Sequence, residues 1–232
     1  MRVTGPRDRG KPEAGYKGVC FHEGGYCVRN IKANVDLVKS HRLRYRVFCE
    51  ELGWGVQSAG GIEKDGYDGH SVAFSVFDEY DTISACLRLA LPCGPFMIEN
   101  EFASLVAPGH KIMRKDDTVE VSRLCVAKEA RRDQVSGNFG AHGVLMLMMK
   151  AVYQWSRMNG IRFIYAVTEF KVYKLSRSRG FPFKLIGKPT VMPDRVVAVA
   201  MLMDWDDFRL ANGIKRPRLM EWYNEERDSF QR

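Results

Sequence analysis

Ionisable residues set among apolar, strand-forming segments constrain this chain more than anything else in its sequence. Arg44-x-x-x-Phe48-x-x-x-x-x-Trp54 is followed by Asp65-x-x-Asp68, then by Arg88 between Leu87 and Leu89, then by Glu120-x-x-Arg123. Burying an unpaired charge costs several kcal/mol, so such groups must pair with one another or do chemistry. Three carboxylates and three arginines threaded through one core region mark a site.

At 232 residues the chain is long enough to bury a substantial core, as one large domain or two small ones. Hydrophobic and charged fractions of 45% and 28% are those of a soluble globular protein. No apolar run approaches the roughly 20 residues that span a bilayer, so no stable membrane insertion is expected. The segment from Met1 to Lys11 is basic without an apolar stretch, which does not fit a secretory signal, and a cytoplasmic location is expected. Six cysteines lack any CxxC pair and are expected to be reduced. Cys20-x-His22 with Cys27 lacks a fourth ligand at metal-site spacing, so no metal is expected.

The formal charge is +8, and the first 50 residues carry 11 Lys/Arg against 5 Asp/Glu. A second basic cluster (Lys171, Lys174, Arg177, Arg179, Lys184) would attract RNA, anionic lipid or an acidic carrier protein, and charge alone does not choose. No strand interleaves aromatic and basic residues as a single-strand binder does, so no nucleic-acid partner is expected.

Residues 1–25 read as a flexible basic arm, 26–203 as one domain and 204–232 as a polar tail packed on or following it. Val35, Val38, Leu43, Val47 and Phe48 give helical spacing up to Gly53. Gln57 to Gly69 reads as an acidic loop, Ser71–Phe77 and Thr82–Leu91 as a hairpin, and Thr118–Ala127 as a strand. After a glycine-containing loop from Arg131 to Gly143 come a helix from Val144 to Met158, a strand from Ile161 to Thr168 and a helix from Phe170 to Arg179. Strands at Phe183–Lys188 and Arg195–Met203 close the domain. This order describes one mixed α/β (α+β) domain, antiparallel on one side with a parallel pair beyond it.

The ordered set Arg44/Phe48/Trp54, Asp65/Asp68, Arg88-Leu-x-Leu with Phe102, and Glu120-Val-Ser-Arg123 closely resembles the autoinducer (acyl-homoserine-lactone) synthases, relatives of the GNAT acetyltransferases, over roughly residues 30–203. The same scaffold is similar to the long-chain N-acyl amino acid synthases. The resemblance implies a GNAT-like three-layer α/β/α domain whose mixed, mostly antiparallel twisted sheet is splayed at its middle strands. It implies an acyltransferase that moves a fatty acyl group from an acyl-carrier-protein thioester (acyl-coenzyme A being the other donor) to an α-amine, with no tightly bound cofactor. Glu120 through Arg132, Asp68 through Val72 and Phe96 through Glu99 look more like the amino acid synthase branch, whereas Trp54 and Gly94-Pro95 look like the autoinducer branch. An N-acyl amino acid synthase is therefore the leading expectation and a synthase using S-adenosylmethionine the alternative. An acetyl-coenzyme A-dependent acetyltransferase and a non-catalytic basic binding domain stand behind both.

An α-amine, protonated below about pH 8, must lose a proton before it attacks a thioester. Glu120, between Val119 and Val121, suits the base; it also suits an ordinary ion pair with Arg123. Positions three apart in a regular strand face opposite ways, so the two share a face only across a bulge, and the GNAT resemblance implies one between Glu120 and Cys125. Asp65 and Asp68 would hold the acceptor's ammonium or pair with Arg44 and Arg123, although their spacing also suits a solvated acidic turn; Arg88 needs a partner and reads as part of a buried charge network with Asp65 or Asp68, or as a bidentate holder of the acceptor's carboxylate.

The resemblance places Phe48, Trp54 and Phe102 over the acceptor, although all three also suit simple core packing. Leu145, Met146 and Met149, with Phe163, Tyr165 and Thr168, are the candidate acyl pocket, methionine suiting a flexible chain. The loop before the second helix lacks the GNAT glycine spacing for coenzyme A pyrophosphate, which favours a carrier protein docked by Arg131, Arg132, Lys171 and Lys174.

Overall fold

A computed structural model describes residues 15–54, 60–137 and 140–225. Residues 1–14 of the expected arm, 55–59 at the approach to the acidic loop, 138–139 of the glycine-containing loop and the last seven residues of the tail lie outside them.

Within the expected arm, β1 (Cys20–Glu23) pairs with β2 (Tyr26–Ile31) through a two-residue turn. Gly24 and Gly25 take φ of 55° and 83° there, the double positive φ that suits the twist of a tight hairpin. Phe21 and Glu23 alternate inward, so this piece belongs to the sheet.

Helix α1 (Asn34–Arg44) continues as a π-helical turn, Tyr45–Glu51, and the chain reverses at Gly53, φ 68°. Its buried side is Asp36, Ser40, Leu43 and Arg44, whereas Val35 is 64% exposed. Of the apolar spacing read from the sequence, Leu43 and Val47 are buried and Phe48 partly so, whereas Val35 and Val38 face outward. The helix leans on β4 (Ile83–Ala90), where polar groups meet, and its inward face is polar for that reason.

The main sheet has the order β1-β2-β3-β4-β5-β8-β11-β10, with β3 Ser71–Phe77, β5 Thr118–Val126, β8 Phe163–Glu169, β10 Thr190–Val191 and β11 Val197–Asp204; the short β9 (Lys184–Leu185) also pairs with β11. Within the loop from Arg131, β6 (Gln134–Gly137) and β7 (Gly140–Gly143) form a separate small hairpin. Among the described residues the one parallel pairing is β5 with β8, bridged by α2 (Val144–Met158).

That parallel ladder runs from Thr118–Phe163 to Val121–Ala166 and stops. Beyond it β5 stays with β4 as far as Val126, while β8 stays with β11 as far as Glu169. The sheet opens between its middle strands just past Glu120.

Strand alternation divides the core. Leu87, Leu89, Val119, Val121, Ile164 and Ala166 pack in the layer of α2. Ala90, Tyr165, Val167 and Ala200 lie on the opposite face, with Phe96, Ile98, Phe102 and Leu105 of the segment between β4 and β5. Helix α3 (Phe170–Ser178) contacts β8 and β11.

The chain after Asp204, expected as a polar tail on or after the domain, is helical as far as Asn224. It forms α4 (Trp205–Lys215) and α5 (Pro217–Asn224), which bury Trp205, Phe208, Trp222 and Tyr223 around Tyr153 of α2. Asn212, fully buried, donates to the Gly180 and Phe208 carbonyls at 2.8 and 2.9 Å and so ties α4 to the end of α3. Asn212→Ala leaves the Gly180 carbonyl without its donor, and is expected to cost about 1–3 kcal/mol, read from urea unfolding as a lower midpoint with unchanged slope.

Candidate active site

The β4–β5 register supplies the first requirement of the site. Cys86 pairs with Cys125 and Arg88 with Ser122, so β5 holds one residue more than β4 across this interval. Arg123 sits in that bulge with φ of 52°, a left-handed value uncommon for a side chain that is not glycine. The bulge turns Arg123 onto the face that carries Arg88 and Glu120, as parity demanded.

The ions then close into a ring. Arg44 donates through Nε to Glu63 and through Nη1 and Nη2 to Asp68 at 2.6 and 3.2 Å. Arg88 Nη1 donates to Asp65 and, at 3.0 Å, to Asp68. Arg123 reaches Glu63 at 2.9 Å through Nε and Asp65 at 2.8 Å through Nη2. Each guanidinium thus joins two carboxylates and each carboxylate two guanidiniums, with no net charge. Arg88 Nε also donates to Ser122 Oγ at 3.0 Å. A short helical turn, Gly66–His70, is capped at its start by Asp65, whose Oδ1 accepts the Tyr67 amide at 2.9 Å; the Asp65 amide donates to Asp68 at 2.9 Å. Those bonds set both aspartates on one side of the loop.

The third carboxylate of the ring is Glu63, not Glu120. Glu63 stands between Ile62 and Lys64 in a polar loop, and its spacing of two from Asp65 was the sole signal for it. Burial works against ionising Asp65 and Asp68, but their arginine partners outweigh it and hold both carboxyls below the usual range. Arg44 keeps its proton more tightly than usual: burial opposes the charge, and Asp68 and Glu63 overcome it.

Glu120 stands apart. It is 1% exposed and in one row with Ala90, Tyr165 and Leu202, on the face opposite α2. Its two oxygens accept the Met97 and Ile98 amides at 2.6 and 2.9 Å, at the start of the short turn Met97–Glu99. Burial pushes its carboxyl up to about 7, against the pull of those two amides and of Arg88. The Glu120–Arg123 ion pair left open by the sequence is absent, since Arg123 is committed to Glu63 and Asp65. Met97 joins the two systems: its amide bonds Glu120, and its Sδ lies 3.2 Å from Arg88 Nη2 and 3.7 Å from Arg123 Nη1. Glu120 is covered by the Met97–Ile98 turn, so a substrate reaching it must displace what covers it.

The remaining expected site residues fall into separate groups. Phe48 and Trp54 stack at 6.3 Å, and Arg123 lies 5.7 Å over Phe48; Phe102 packs instead in the cluster around Phe96 and Tyr165. Phe163 and Tyr165 share the face of Glu120, whereas Leu145, Met146, Met149 and Thr168 belong to the α2 side. The six expected acyl-pocket residues are thus divided by the sheet, because side chains on a strand alternate. Of the expected docking residues, Arg131 pairs with Glu51 at 2.6 Å and Lys171 with Glu169 at 2.6 Å; Lys174 lies 5.3 Å over Phe170, and Arg132 is exposed. Among the described residues no cluster of His, Cys, Asp and Glu suits a metal, and no helix is long and apolar enough to cross a membrane.

Comparison with known proteins places these features. The sequence profile described as "Autoinducer synthase" matches residues 29–212. A probable acyl-homoserine-lactone synthase of Sinorhizobium fredii is 32% identical over 162 residues, 69% of this chain and 76% of its own. An acyl-homoserine-lactone synthase of Aeromonas hydrophila is 29% identical, over 81% of this chain and 88% of its own. Among solved structures, the acyl-homoserine-lactone synthase LasI superposes with a TM-score of 0.66 at 23% identity, over 85% of this chain and 95% of its own. FeeM, an N-acyl amino acid synthase from uncultured soil microbes, superposes with a TM-score of 0.57 at 14% identity, over 80% and 93%. The GNAT-like fold expected from the sequence is thereby supported. The order of the two functional expectations is reversed: likeness in sequence favours the lactone synthases over the amino acid branch, whose likeness is one of fold.

Proposed function

Because this chain belongs to the autoinducer synthase family of acyltransferases, we propose that it acylates the α-amine of S-adenosylmethionine and closes the product to an acyl-homoserine lactone. The observation that carries the reading is Glu120: a buried carboxylate left out of the charge ring, titrating near 7 beside the opening of the sheet. Above that pH the ionised carboxylate takes a proton from the acceptor's ammonium, directly or through one water. The freed nitrogen attacks the thioester carbonyl, the C–N bond forms, and the thiolate leaves and is protonated. The acceptor's own carboxylate then attacks its γ-carbon and expels methylthioadenosine as a neutral thioether.

The ring divides by exposure. Arg44 and Arg88 are sealed in and position their neighbours, while Asp65 and Arg123, each just over one fifth exposed, are the members able to meet the acceptor. Phe48 and Trp54, stacked beside Arg123, form the apolar wall on that side. The donor is a fatty acyl thioester on a phosphopantetheine arm, and the splay past Val121 and Ala166 gives that arm a route between β5 and β8. The same route leads towards Leu145, Met146 and Met149 on the α2 side.

Incubating the purified chain with an acyl thioester and either S-adenosylmethionine or a mixture of free amino acids tests the reading by product mass. An acyl-homoserine lactone with equimolar methylthioadenosine is expected from the first and no product from the second; N-acyl amino acids from the second alone would restore the other branch. Running each acceptor with a carrier-protein and a coenzyme A thioester identifies the donor's handle.

A further inference from the structure

Cys20 and Cys27 lie on the β1–β2 hairpin and take no part in the site described above. The register sets Cys20 opposite Arg29 and His22 opposite Cys27. Alternation turns Phe21 and Val28 into the core and leaves Cys20, His22, Cys27 and Arg29 on the other face. Cys20 is exposed and Cys27 half-buried, and the register makes the two thiols diagonal neighbours on that face.

A fixed cation completes the arrangement. Arg29 Nη1 donates to Cys27 Sγ at 3.2 Å, and the same guanidinium is held by Asp36 at 3.1 Å and lies 4.2 Å over the Phe77 ring. The neighbouring Cys20 thiol, then the Arg29 guanidinium, bring the Cys27 thiol down to about 6 against the opposing effect of burial. A stabilised thiolate beside a second, exposed thiol is the pairing that thiol–disulfide exchange requires.

We propose that Cys20 and Cys27 form a thiol–disulfide exchange site for small disulfides of the glutathione type. Cys27 thiolate attacks one sulfur of the small disulfide; a mixed disulfide forms and one glutathione thiolate leaves. Cys20 gives up its proton and attacks Cys27 Sγ, and the second glutathione leaves as thiol. Two protein thiols are oxidised and one small disulfide is reduced to two thiols. Diagonal Cα separations in a hairpin are about 7–8 Å, slightly beyond the usual span of a disulfide, so closure draws the strands together by about 1 Å. β1 can yield, being four residues long and at the edge of the sheet. A bond closed under that strain is readily reduced, which makes the site reversible.

The test is oxidised glutathione added to the folded full chain near pH 7, followed by peptide mapping. A linked Cys20–Cys27 peptide, lighter by two hydrogens, is expected in the unaltered chain. Cys20→Ser should instead accumulate a stable glutathione adduct on Cys27, formed roughly 3–10-fold faster than on Cys93, which is also exposed. Arg29→Met, made in the Cys20→Ser background, should remove most of that advantage. Equal labelling of Cys27 and Cys93 in the Cys20→Ser chain overturns the proposal, as does a Cys27 adduct that persists unresolved, or a link between two chains, in the unaltered protein. Because the readout is covalent mass, it is independent of whether acyl transfer is observed.

Discussion

Glu120→Gln should lower kcat/KM for acyl transfer by about 10²–10⁴-fold, the range that a general base contributes. The substitution preserves shape but removes the only site carboxylate outside the charge ring. In the unaltered enzyme kcat/KM should rise with pH through about 7, as Glu120 becomes ionised, and that limb should vanish in the variant. Stability gives an independent check. The folded-state value lies above the ordinary 4.5, so Glu120 favours the folded chain fully below that pH, and the advantage is lost as pH rises through about 7. A shift of that size corresponds to about 3 kcal/mol, so the variant should gain on the unaltered protein by an amount of that order between pH 4 and pH 8. One cost runs the other way: the amide's NH₂ meets one of the Met97 and Ile98 amides, a loss of about 1–3 kcal/mol at every pH. Near-normal turnover by a folded Glu120→Gln enzyme would remove this residue from the chemistry.

Arg88→Met is expected to destabilise the fold by about 3–5 kcal/mol, the penalty for taking one member out of a buried ionic network. Arg88 is 2% exposed, and its loss leaves Asp65 and Asp68 sharing arginines that are already shared. Adding Asp65→Asn to that variant should recover part of the loss, and the non-additivity in urea unfolding measures the coupling. Acid supplies the second reading. Asp65 and Asp68 are depressed in the folded state, so their stabilisation is present above the ordinary value of 3.8 and lost as pH falls through the lower folded values. The unaltered protein should therefore lose stability steeply below about pH 4, and Arg88→Met less steeply. A loss of under about 1 kcal/mol at pH 7, with an unchanged acid profile, would mean that the ring is ornamental to stability.

Much of this architecture is legible from local pattern. The apolar run from Val144 ending at Asn159-Gly160 is α2 to the residue, because a buried helix needs an unbroken apolar stretch and a stop. The bulge at Arg123 was expected from the GNAT resemblance, parity adding that Glu120 and Arg123 share a face only across one. Other elements escaped the same reasoning. The helices after Asp204 leave Leu210 and Ile214 exposed among polar residues and are anchored by Trp205, Phe208, Trp222 and Tyr223, whose shared burial depends on Tyr153 far away in the chain. Helix α1 was read from the spacing of Val35, Val38, Leu43, Val47 and Phe48, yet beside Leu43 it turns Asp36, Ser40 and Arg44 inward, because what it packs against is charged.

By itself the amino-acid sequence determined that Arg88 and Glu120 had to be buried with partners or a task, since each stands between two apolar residues on a core strand. It also determined, through residue types in order, the family, and it singled out Glu120 as the candidate base. Only the tertiary structure decided which carboxylate stands alone. Glu63 and Glu120 are 57 positions apart, and either could have met Arg123. The choice fell to the bulge, which aims Arg123 at the loop, and to the turn at Met97, whose two amides hold Glu120 where no arginine reaches it. Pairing among charges depends on distances across the sheet, and those exist only once the chain has folded.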